Sequence, residues 1–212
     1  LEDITAAREA QVQHAWERSH DVLTQLYNRA AFDERLGLLM AERSTRQRST
    51  AEDEDGNEPQ GDGVVLFLDL DHFTVVNDIA GHDAGDDVLR HVARLLASQV
   101  RQIGWAARLG GDEFAVVLPG CALARGQAVA EQLRVAVHAW EPSYQGRSFT
   151  LGVSIGLVVL DASLQDVPSV LYAADMACYD AKRAGRNRVE TRHASQATVS
   201  ASASGRMALG PV

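Results

Sequence analysis

The chain has 212 residues, of which 46% are hydrophobic, and this suits one compact domain with appendages. A formal net charge of -9 argues against a general nucleic-acid or anionic-membrane binder, because those partners select basic surfaces. No apolar run approaches the ~20 residues of a membrane-spanning helix, and no signal peptide is visible. Cys121 and Cys178 lie in apolar contexts without metal-ligand spacing, so we expect buried free thiols in a reducing, cytoplasmic compartment.

Residues 1–20 are polar with a few apolar positions, and they predict an N-terminal helix. Two interpretations stay open. The helix is either a surface element of the domain, or a linker that leads in from an upstream sensor domain and pairs with its copy as a coiled coil. The chain begins at Leu1 and not at methionine, so we expect it to be part of a longer protein.

Residues 21–29 read as a turn whose Asn28 can cap the helix that follows. The apolar face of that helix is formed by Phe32, Leu36, Leu39 and Met40. Residues 44–63 are polar, with an acidic run at 52–55, and cannot bury apolar area. We expect a flexible, solvated insertion there, with a regulatory role as the alternative.

A continuous apolar run at residues 64–68 predicts a central buried strand, and Asp69 ends it with a carboxylate. A polar block follows at residues 70–86 and leads into a helix from about residue 87 to 100. Arg101 stands at the end of that helix, where the helix dipole favours a cation.

Two strand-like runs, 105–109 and 114–118, flank Gly110 and Gly111 and predict a β-hairpin. Glycine accepts the positive φ that such a turn needs, and it leaves the backbone open to a ligand. The carboxylates of residues 112–113 come directly after it. Phosphates approach carboxylates only with a cation between them, and Mg²⁺ prefers both kinds of oxygen, so the stretch predicts a metal–nucleotide site. The plainer alternative is a hairpin whose polar turn is acidic.

The C-terminal third predicts a helix at 122–140, a core strand at 149–159 and a helix at 170–184. The apolar face of the first helix consists of Val129, Leu133, Val135 and Val137. Lys182 is the only lysine and stands four residues before Arg186, so one helical turn can present both to one anion. A solvated basic face is the alternative. The order of elements suits an α+β fold with a mostly antiparallel central sheet flanked by helices.

Several of these segments resemble the GGDEF family of diguanylate cyclases. Residues 21–29 resemble the family's opening motif, residues 69–86 its Asp-x-Asp block, and residues 108–114 its Gly-Gly-Asp-Glu-Phe signature. Residues 179–187 resemble its C-terminal Tyr-x-Ala-Lys-x-x-Gly-Arg-Asn segment. The resemblance implies a fold similar to the palm of polymerases and nucleotide cyclases.

The resemblance also implies how the chain is divided. Residues 1–20 would be a linker or signalling helix, and residues 21–192 the cyclase domain, with 44–63 as its flexible acidic insertion. Residues 193–212 are rich in alanine and serine and predict a disordered tail.

The activity that the resemblance implies is condensation of two GTP into cyclic di-GMP and two pyrophosphates. Each 3′-hydroxyl attacks the other nucleotide's α-phosphate, so a homodimer with two-fold symmetry is required for catalysis. Asp69, the Leu70 carbonyl, Asp112 and Glu113 would hold Mg²⁺, with Mn²⁺ as an alternative ion. Asp112 and Glu113 would be the catalytic residues, with Asp112 as the proton acceptor.

The resemblance places the rest of the substrate on seven further positions. Lys182 and Arg186 would hold the β- and γ-phosphates, beside the backbone of residues Gly110 and Gly111. Base choice falls to Asn77 and Asp86, and His82 would line the pocket. A carboxylate accepts hydrogen bonds from guanine N1–H and N2–H₂ but repels the unprotonated N1 of adenine, so Asp86 predicts guanine.

Two departures from the family pattern bear on activity. Thr74 stands where a lysine thought to stabilise the reacting phosphate is usual. Arg101 is the remaining half of an inhibitory product site whose partner aspartate is replaced by Gly104, so we expect product inhibition to be weak or absent. Three hypotheses follow: an active diguanylate cyclase, a degenerate receptor of GTP or cyclic di-GMP, and a mononucleotide cyclase. The intact signature favours the first, and Thr74 favours the second.

Overall fold

The fold is a five-stranded sheet with helices on both faces, in a computed structural model that describes residues 2–50 and 63–193. The helices are α1 Glu2–Ser19, α2 Arg29–Thr50, α3 Phe73–Ala80, α4 His82–Val100, α5 Leu123–Ala139 and α6 Val167–Arg183. The strands are β1 Val64–Asp71, β2 Trp105–Gly110, β3 Glu113–Leu118, β4 Ser143–Tyr144, β5 Arg147–Ser148, β6 Gly152–Val159 and β7 Val189–Arg192. No helix within the two described ranges is both long enough and apolar enough to cross a membrane.

The strand order in the sheet is β2-β3-β1-β6-β7. Neighbouring strands are antiparallel except for β6 and β7, a parallel pair that α6 connects. Strands β4 and β5 form a separate short hairpin. The predicted α+β class, with a mostly antiparallel central sheet flanked by helices, is confirmed.

The side chains of β1 alternate between two hydrophobic cores. Val64, Leu66 and Leu68 pack with residues of α4 and α5, whereas Val65 and Phe67 pack with residues of α2 and α6. Full burial of such a side chain contributes about 1.5–3 kcal/mol, and each of these five is at most 6% exposed. The predicted central buried strand is confirmed, but it continues two residues beyond the predicted end at Asp69, to Asp71. Its packing fixes the position of the Asp69 carboxylate.

The predicted N-terminal helix and capped turn are also confirmed. Asn28 Oδ1 accepts the Ala31 N–H at 2.9 Å and caps α2. The His20 ring stacks on Trp16, with 4.5 Å between centroids, and lies 4.8 Å from the Tyr27 ring. These ring contacts join the end of α1 to the turn that follows it.

Helix α2 runs through residues 44–50, so the loop predicted from residue 44 is wrong over this range. The hydroxyls of Ser44 and Thr45 donate to carbonyls four residues earlier, both at 3.1 Å, and so keep these polar residues within the helix. The acidic run at 52–55 lies outside the described residues, as does the tail from 194 onward.

Two helices occupy residues 73–100, whereas the sequence predicts one that begins near residue 87. Helix α3 is additional, and α4 begins five residues earlier than expected, at His82. A Cβ at Gly85 would overlap Asn77 Oδ1 and crowd the Phe73 ring. Glycine at this position therefore lets α3 and α4 pack closely and does not interrupt the helix.

Two features of the C-terminal third differ from the sequence prediction. Val135 is 49% exposed, so its place on the apolar face of α5 is wrong, whereas Val129, Leu133 and Val137 are buried. Strand β7 is polar and only four residues long, so no hydrophobic pattern announces it. Strand β7 forms because it pairs with β6, and the local sequence does not encode that pairing.

Candidate active site

Asp69 meets the hairpin carboxylates through the pairing of β1 with β3. The register places Asp69 directly opposite Glu113. The Leu70 N–H donates to the main-chain oxygen of Asp112 at 3.3 Å. The ladder hydrogen bonds fix this register, so acidic groups remote in the chain converge at one end of the sheet.

A pocket of about 230 Å³ opens beside these carboxylates. Five residues that the sequence predicts for the site line it: Asp69, Leu70, Asp112, Lys182 and Arg186. Asp71 and residues 72–74 also border the pocket, although the sequence predicts no ligand role for them. The structure thus brings these five residues to one place. Glu113 lies opposite Asp69 in the ladder but does not line the pocket, and neither do Gly110 and Gly111.

Lys182 contacts Asp69 directly, with 2.7 Å between Nζ and Oδ2. Burial lowers the pKa of Lys182, but the hydrogen bond and the charge of Asp69 outweigh it and raise that pKa overall. Lys182 therefore stays protonated and neutralises the carboxylate. A metal ion or a phosphate entering the pocket would compete for one of these two side chains.

Two of the site carboxylates have a raised pKa. For Asp69 the first cause is burial, which Lys182 opposes and the negative charge of Asp112 reinforces. Burial is also the first cause for Glu113, followed by the charge of Asp69. A cation bound beside these carboxylates would favour their charged forms and so lower both pKa values.

The donor set of the pocket fits a hard cation. Mg²⁺ prefers carboxylate and carbonyl oxygens and commonly keeps water or phosphate oxygens in its shell. Within residues 2–50 and 63–193, no group of three acidic, histidine or cysteine side chains is arranged to hold a metal ion by itself. An ion here would therefore also draw on the Leu70 carbonyl, water or substrate oxygens.

The start of α3 gives the pocket a second means of binding phosphate. His72 precedes the helix in a left-handed conformation, with φ of 58°, and its side chain makes no capping hydrogen bond. The first N–H groups of a helix and its dipole favour an anion. No sequence signal announces this helix start, because His72 occupies the N-cap position, where Ser, Thr, Asp or Asn is usual.

The residues expected to read the base lie at the corner between α3 and α4. Asn77 follows Thr74 by three residues, one turn along α3, and its Oδ1 packs against the backbone of Gly85. Asp86, which follows Gly85 in the sequence, is half-buried, and His82 is exposed at the start of α4. None of the three predicted base-binding residues lines the 230 Å³ pocket.

Arg108 holds the turn of the hairpin. Its Nε and Nη2 donate to the Gly111 carbonyl at 3.0 and 2.8 Å, and its Nη1 donates to both carboxylate oxygens of Asp21 at 3.2 and 3.1 Å. Gly111 has φ of 45°, a left-handed conformation that glycine adopts without strain. The sequence shows both charged residues within motifs, but nothing in it indicates that they pair.

Comparison with known proteins identifies the family. The sequence matches the family described as "Diguanylate cyclase, GGDEF domain" over residues 18–188. The chain belongs to the GGDEF family. It is 37% identical over 198 residues to the probable diguanylate cyclase DgcE of Escherichia coli (strain K12), and the aligned region covers 93% of this chain and 17% of that protein. It is also 39% identical over 170 residues to diguanylate cyclase DgcP of Pseudomonas aeruginosa, and that aligned region covers 80% of this chain and 23% of that protein.

The GGDEF chain thus spans less than a quarter of the length of these two relatives. A solved structure shares its fold: the coiled coil and GGDEF domain of DgcB from Caulobacter crescentus, in complex with c-di-GMP. The two superpose with a TM-score of 0.78 at 30% identity, covering 90% of this chain and 94% of that one.

Arg186 reaches the GGDEF pocket in a different way from the one that the sequence predicts. Helix α6 ends at Arg183, and Arg186 lies beyond it with φ of 64°. The prediction that Arg186 shares a helical turn with Lys182 is wrong. Both side chains nevertheless line the same pocket, because the chain reverses after the helix.

Arg101 lies apart from the carboxylates of this GGDEF domain, exposed at the C-terminal end of α4. It borders a second pocket of about 240 Å³ together with Gly104, Tyr27 and Trp105. A Cβ at Gly104 would overlap the carbonyl oxygen of Val117, so the backbone here leaves no room for a side chain. The close packing of the backbone at Gly104 therefore accounts for the absence of an aspartate at this position.

Proposed function

We propose that this GGDEF domain condenses two GTP into cyclic di-GMP with release of two pyrophosphates. The observation that carries the proposal is the placement of Asp69 opposite Glu113, beside a pocket lined by Lys182 and Arg186. Acidic and basic side chains in one small pocket suit a triphosphate that arrives with its counter-ion. The family match and the named relatives support the same reaction.

Lys182, Arg186 and the start of α3 would hold the β- and γ-phosphates, because all three border the pocket. Lys182 would exchange its contact with Asp69 for one with phosphate oxygens. Mg²⁺ or Mn²⁺ on Asp69, Asp112, Glu113 and the Leu70 carbonyl would neutralise the triphosphate and polarise the α-phosphate.

Asp112 is our choice for the group that accepts the proton of the 3′-hydroxyl, since it borders the pocket at the hairpin turn. The bond that forms joins the 3′-oxygen of one GTP to the α-phosphorus of the other, and the bond that breaks releases pyrophosphate. Two such steps close the ring.

Asp86 would select guanine by accepting hydrogen bonds from N1–H and N2–H₂. Asn77 stands beside it at the α3–α4 corner, and the exposed His82 would line the same side of the base. Adenine has an acceptor at N1 and would face the Asp86 carboxylate with like polarity.

A homodimer follows from the chemistry, since one domain holds one GTP and each nucleotide needs a partner's 3′-hydroxyl. Two copies would face each other about a two-fold axis. Helix α1 would raise the local concentration of the second copy, as a linker from an upstream sensor domain. Because GTP is the substrate, we place the domain in the cytoplasm.

The decisive assay is incubation of the protein with GTP and Mg²⁺, with chromatographic detection of products. We expect cyclic di-GMP, at a specific activity that rises with protein concentration as dimers form. Asp69→Asn should reduce the rate at least a hundredfold, at about 1.4 kcal/mol for each factor of ten. Formation of 3′,5′-cyclic GMP at a rate linear in protein would point to a mononucleotide cyclase instead.

A second candidate function rests on Thr74, which borders the pocket where the family usually has lysine. A domain without that lysine would bind GTP or cyclic di-GMP and signal without turnover. Calorimetric binding of GTP, with no product formed at high protein concentration, would favour this receptor.

A further inference from the structure

Asp71 has a buried carboxylate next to the site, and the proposed reaction gives this residue no role. It is 5% exposed. Its Oδ1 accepts a hydrogen bond from the Ser154 hydroxyl at 2.7 Å, and its Oδ2 accepts one from the Asn187 N–H at 2.8 Å. A buried carboxylate needs its hydrogen bonds, so Asp71 holds its two donors, the Ser154 hydroxyl and the Asn187 N–H, in place.

The donor Asn187 belongs to an unusual turn. Gly185, Arg186 and Asn187 have consecutive positive φ values of 120°, 64° and 44°. Left-handed backbone costs roughly 1–2 kcal/mol for a residue other than glycine, and at Arg186 a backbone hydrogen bond from its N–H to the Ala181 carbonyl of α6, at 3.0 Å, offsets part of this cost. Such a turn persists only where surrounding groups hold it, and it is this turn that directs Arg186 into the pocket.

Besides this bond to α6, side-chain contacts with two further elements hold the turn in place. From β1, Asp71 accepts the Asn187 N–H. From α5, Arg134 Nη1 donates to Asn187 Oδ1 at 3.2 Å, and Glu131 in turn pairs with Arg134 at 2.6 Å. Gly152 leaves the space for this arrangement, since a Cβ there would lie 3.0 Å from Asp71 Oδ2.

We propose that Asp71 is a positioning residue for triphosphate binding, which acts through Asn187 to keep Arg186 directed into the pocket. The inference rests on the proposed function only in the phosphate role of Arg186. The competing role for a carboxylate that borders the pocket is to supply charge, as a ligand of the metal. The two roles differ in whether the side chain needs its charge or only its hydrogen bonds.

The pair Asp71→Asn and Asp71→Ala separates the roles. An asparagine keeps both bonds, since its amide oxygen accepts the Asn187 N–H and its amide nitrogen donates to the Ser154 hydroxyl oxygen. Alanine keeps neither. We measure amide hydrogen exchange of Asn187 by NMR and the affinity for a non-cleavable GTP analogue with Mg²⁺.

Asp71→Ala should speed exchange at Asn187 and weaken the analogue about tenfold, whereas Asp71→Asn should stay within about threefold of wild type. Asp71→Ser, too short to reach Asn187, is the second loss variant in case alanine does not fold. If Asp71→Asn weakens the analogue as much as the loss variant while Asn187 stays protected, the charge is what matters and the proposal is overturned.

A double-mutant comparison tests the route through Arg186. Asp71→Ala should weaken the analogue little or not at all in an Arg186→Ala background. Full additivity of the two losses would contradict the proposal. The matched control is Asp166→Ala, which removes the cap at the far end of the same helix α6, where Oδ1 accepts the Ser169 N–H at 2.8 Å. It should lower the melting temperature without changing Asn187 exchange or analogue affinity.

Both readouts precede catalysis, so the two proposals can fail separately. A wild-type protein that makes no cyclic di-GMP but shows this pattern would count against the proposed reaction alone. A productive cyclase in which Asp71→Ala and Asp71→Ser leave Asn187 exchange and analogue affinity unchanged would count against the role of Asp71 alone.

Discussion

Arg108 and Asp21 lie 87 residues apart in the sequence, and 3.1 Å separates Arg108 Nη1 from Asp21 Oδ2. The same guanidinium donates to the carbonyl of Gly111, so one side chain ties the signature turn to the segment that follows α1. Asp21 also accepts hydrogen bonds from the N–H and hydroxyl of Thr24, at 2.9 and 2.7 Å. A shift of α1 would therefore act on the turn that carries the site carboxylates.

Removing this tie should destabilise the domain. Asp21→Asn loses charge-assisted hydrogen bonds to Arg108 and Thr24, and we expect a loss of about 2 kcal/mol at pH 7, measured by urea unfolding. The control is Asp33→Asn, which breaks an exposed pair with Arg29 on α2 and should cost less than about 0.5 kcal/mol. Equal effects of the two variants would contradict the special role of Asp21.

The same pair gives a pH dependence with a defined sign. Burial raises the pKa of Asp21, but the hydrogen bonds from Thr24 and Arg108 outweigh it and set that pKa below the ordinary value of 3.8. A depressed pKa in the folded state stabilises above the unfolded value and is lost as the pH falls through the folded value. The stability gap between wild type and Asp21→Asn should therefore be constant above about pH 5 and close below pH 3.8. A gap that closes near neutral pH would assign the effect to another group.

Gln25→Gly should stabilise the domain. Gln25 has φ of 63°, a conformation that strains a residue with a Cβ but that glycine adopts freely. Relief of the strain, less the greater entropy of glycine in the unfolded chain, gives a gain of about 0.5–1 kcal/mol in the free energy of unfolding. Gln132→Gly, in the exposed interior of α5, is the control and should cost about 1 kcal/mol. Destabilisation by both would show that Gln25 bears no strain.

Restoring the missing aspartate should not restore product inhibition. In Gly104→Asp the new Cβ would overlap the Val117 carbonyl oxygen, so we expect a loss of about 1–3 kcal/mol and no gain in sensitivity to cyclic di-GMP. Arg101→Ala should likewise leave product sensitivity nearly unchanged. The neighbouring exposed Gln102→Asp should shift stability by no more than about 0.5 kcal/mol. A folded, product-inhibited Gly104→Asp protein would show that the backbone accommodates the side chain.

Asp86→Ser should relax base choice. Serine cannot accept from both guanine donors as a carboxylate does, and it does not repel adenine N1, so the ratio of kcat/KM for GTP over ATP should fall at least about tenfold. The control is Asp87→Ser, whose exposed carboxylate pairs with Arg90 at 2.9 Å, and it should keep the wild-type ratio. An unchanged ratio in Asp86→Ser would place base recognition elsewhere.

Much of this fold can be read from the sequence because its central elements depend on local pattern. The β1 run is apolar on both faces, since Val65 and Leu66 enter different cores, and the Gly110–Gly111 turn separates two such strands. The positions at which α3 and α4 begin, Phe73 and His82, cannot be predicted in this way. Gly85 suggests a break, and only its contact with Asn77 shows that it serves helix packing.

The parts of the site that the sequence does not reveal depend on distant partners. Asp71 looks like one more acidic residue of its motif until Ser154 and Asn187, 83 and 116 residues away, are seen to donate to it. The position of Arg186 beyond α6 depends on three consecutive positive φ values, which no helical periodicity predicts.

The most direct test of the central claim is anomalous diffraction from crystals grown with Mn²⁺ and a non-cleavable GTP analogue. We expect an anomalous peak between Asp69 and the hairpin carboxylates, with Lys182 moved from Asp69 to the analogue's phosphates and guanine beside Asp86. An analogue bound elsewhere, with Lys182 still on Asp69 and no metal peak between β1 and β3, would contradict the assignment of this pocket as the site of cyclic di-GMP synthesis.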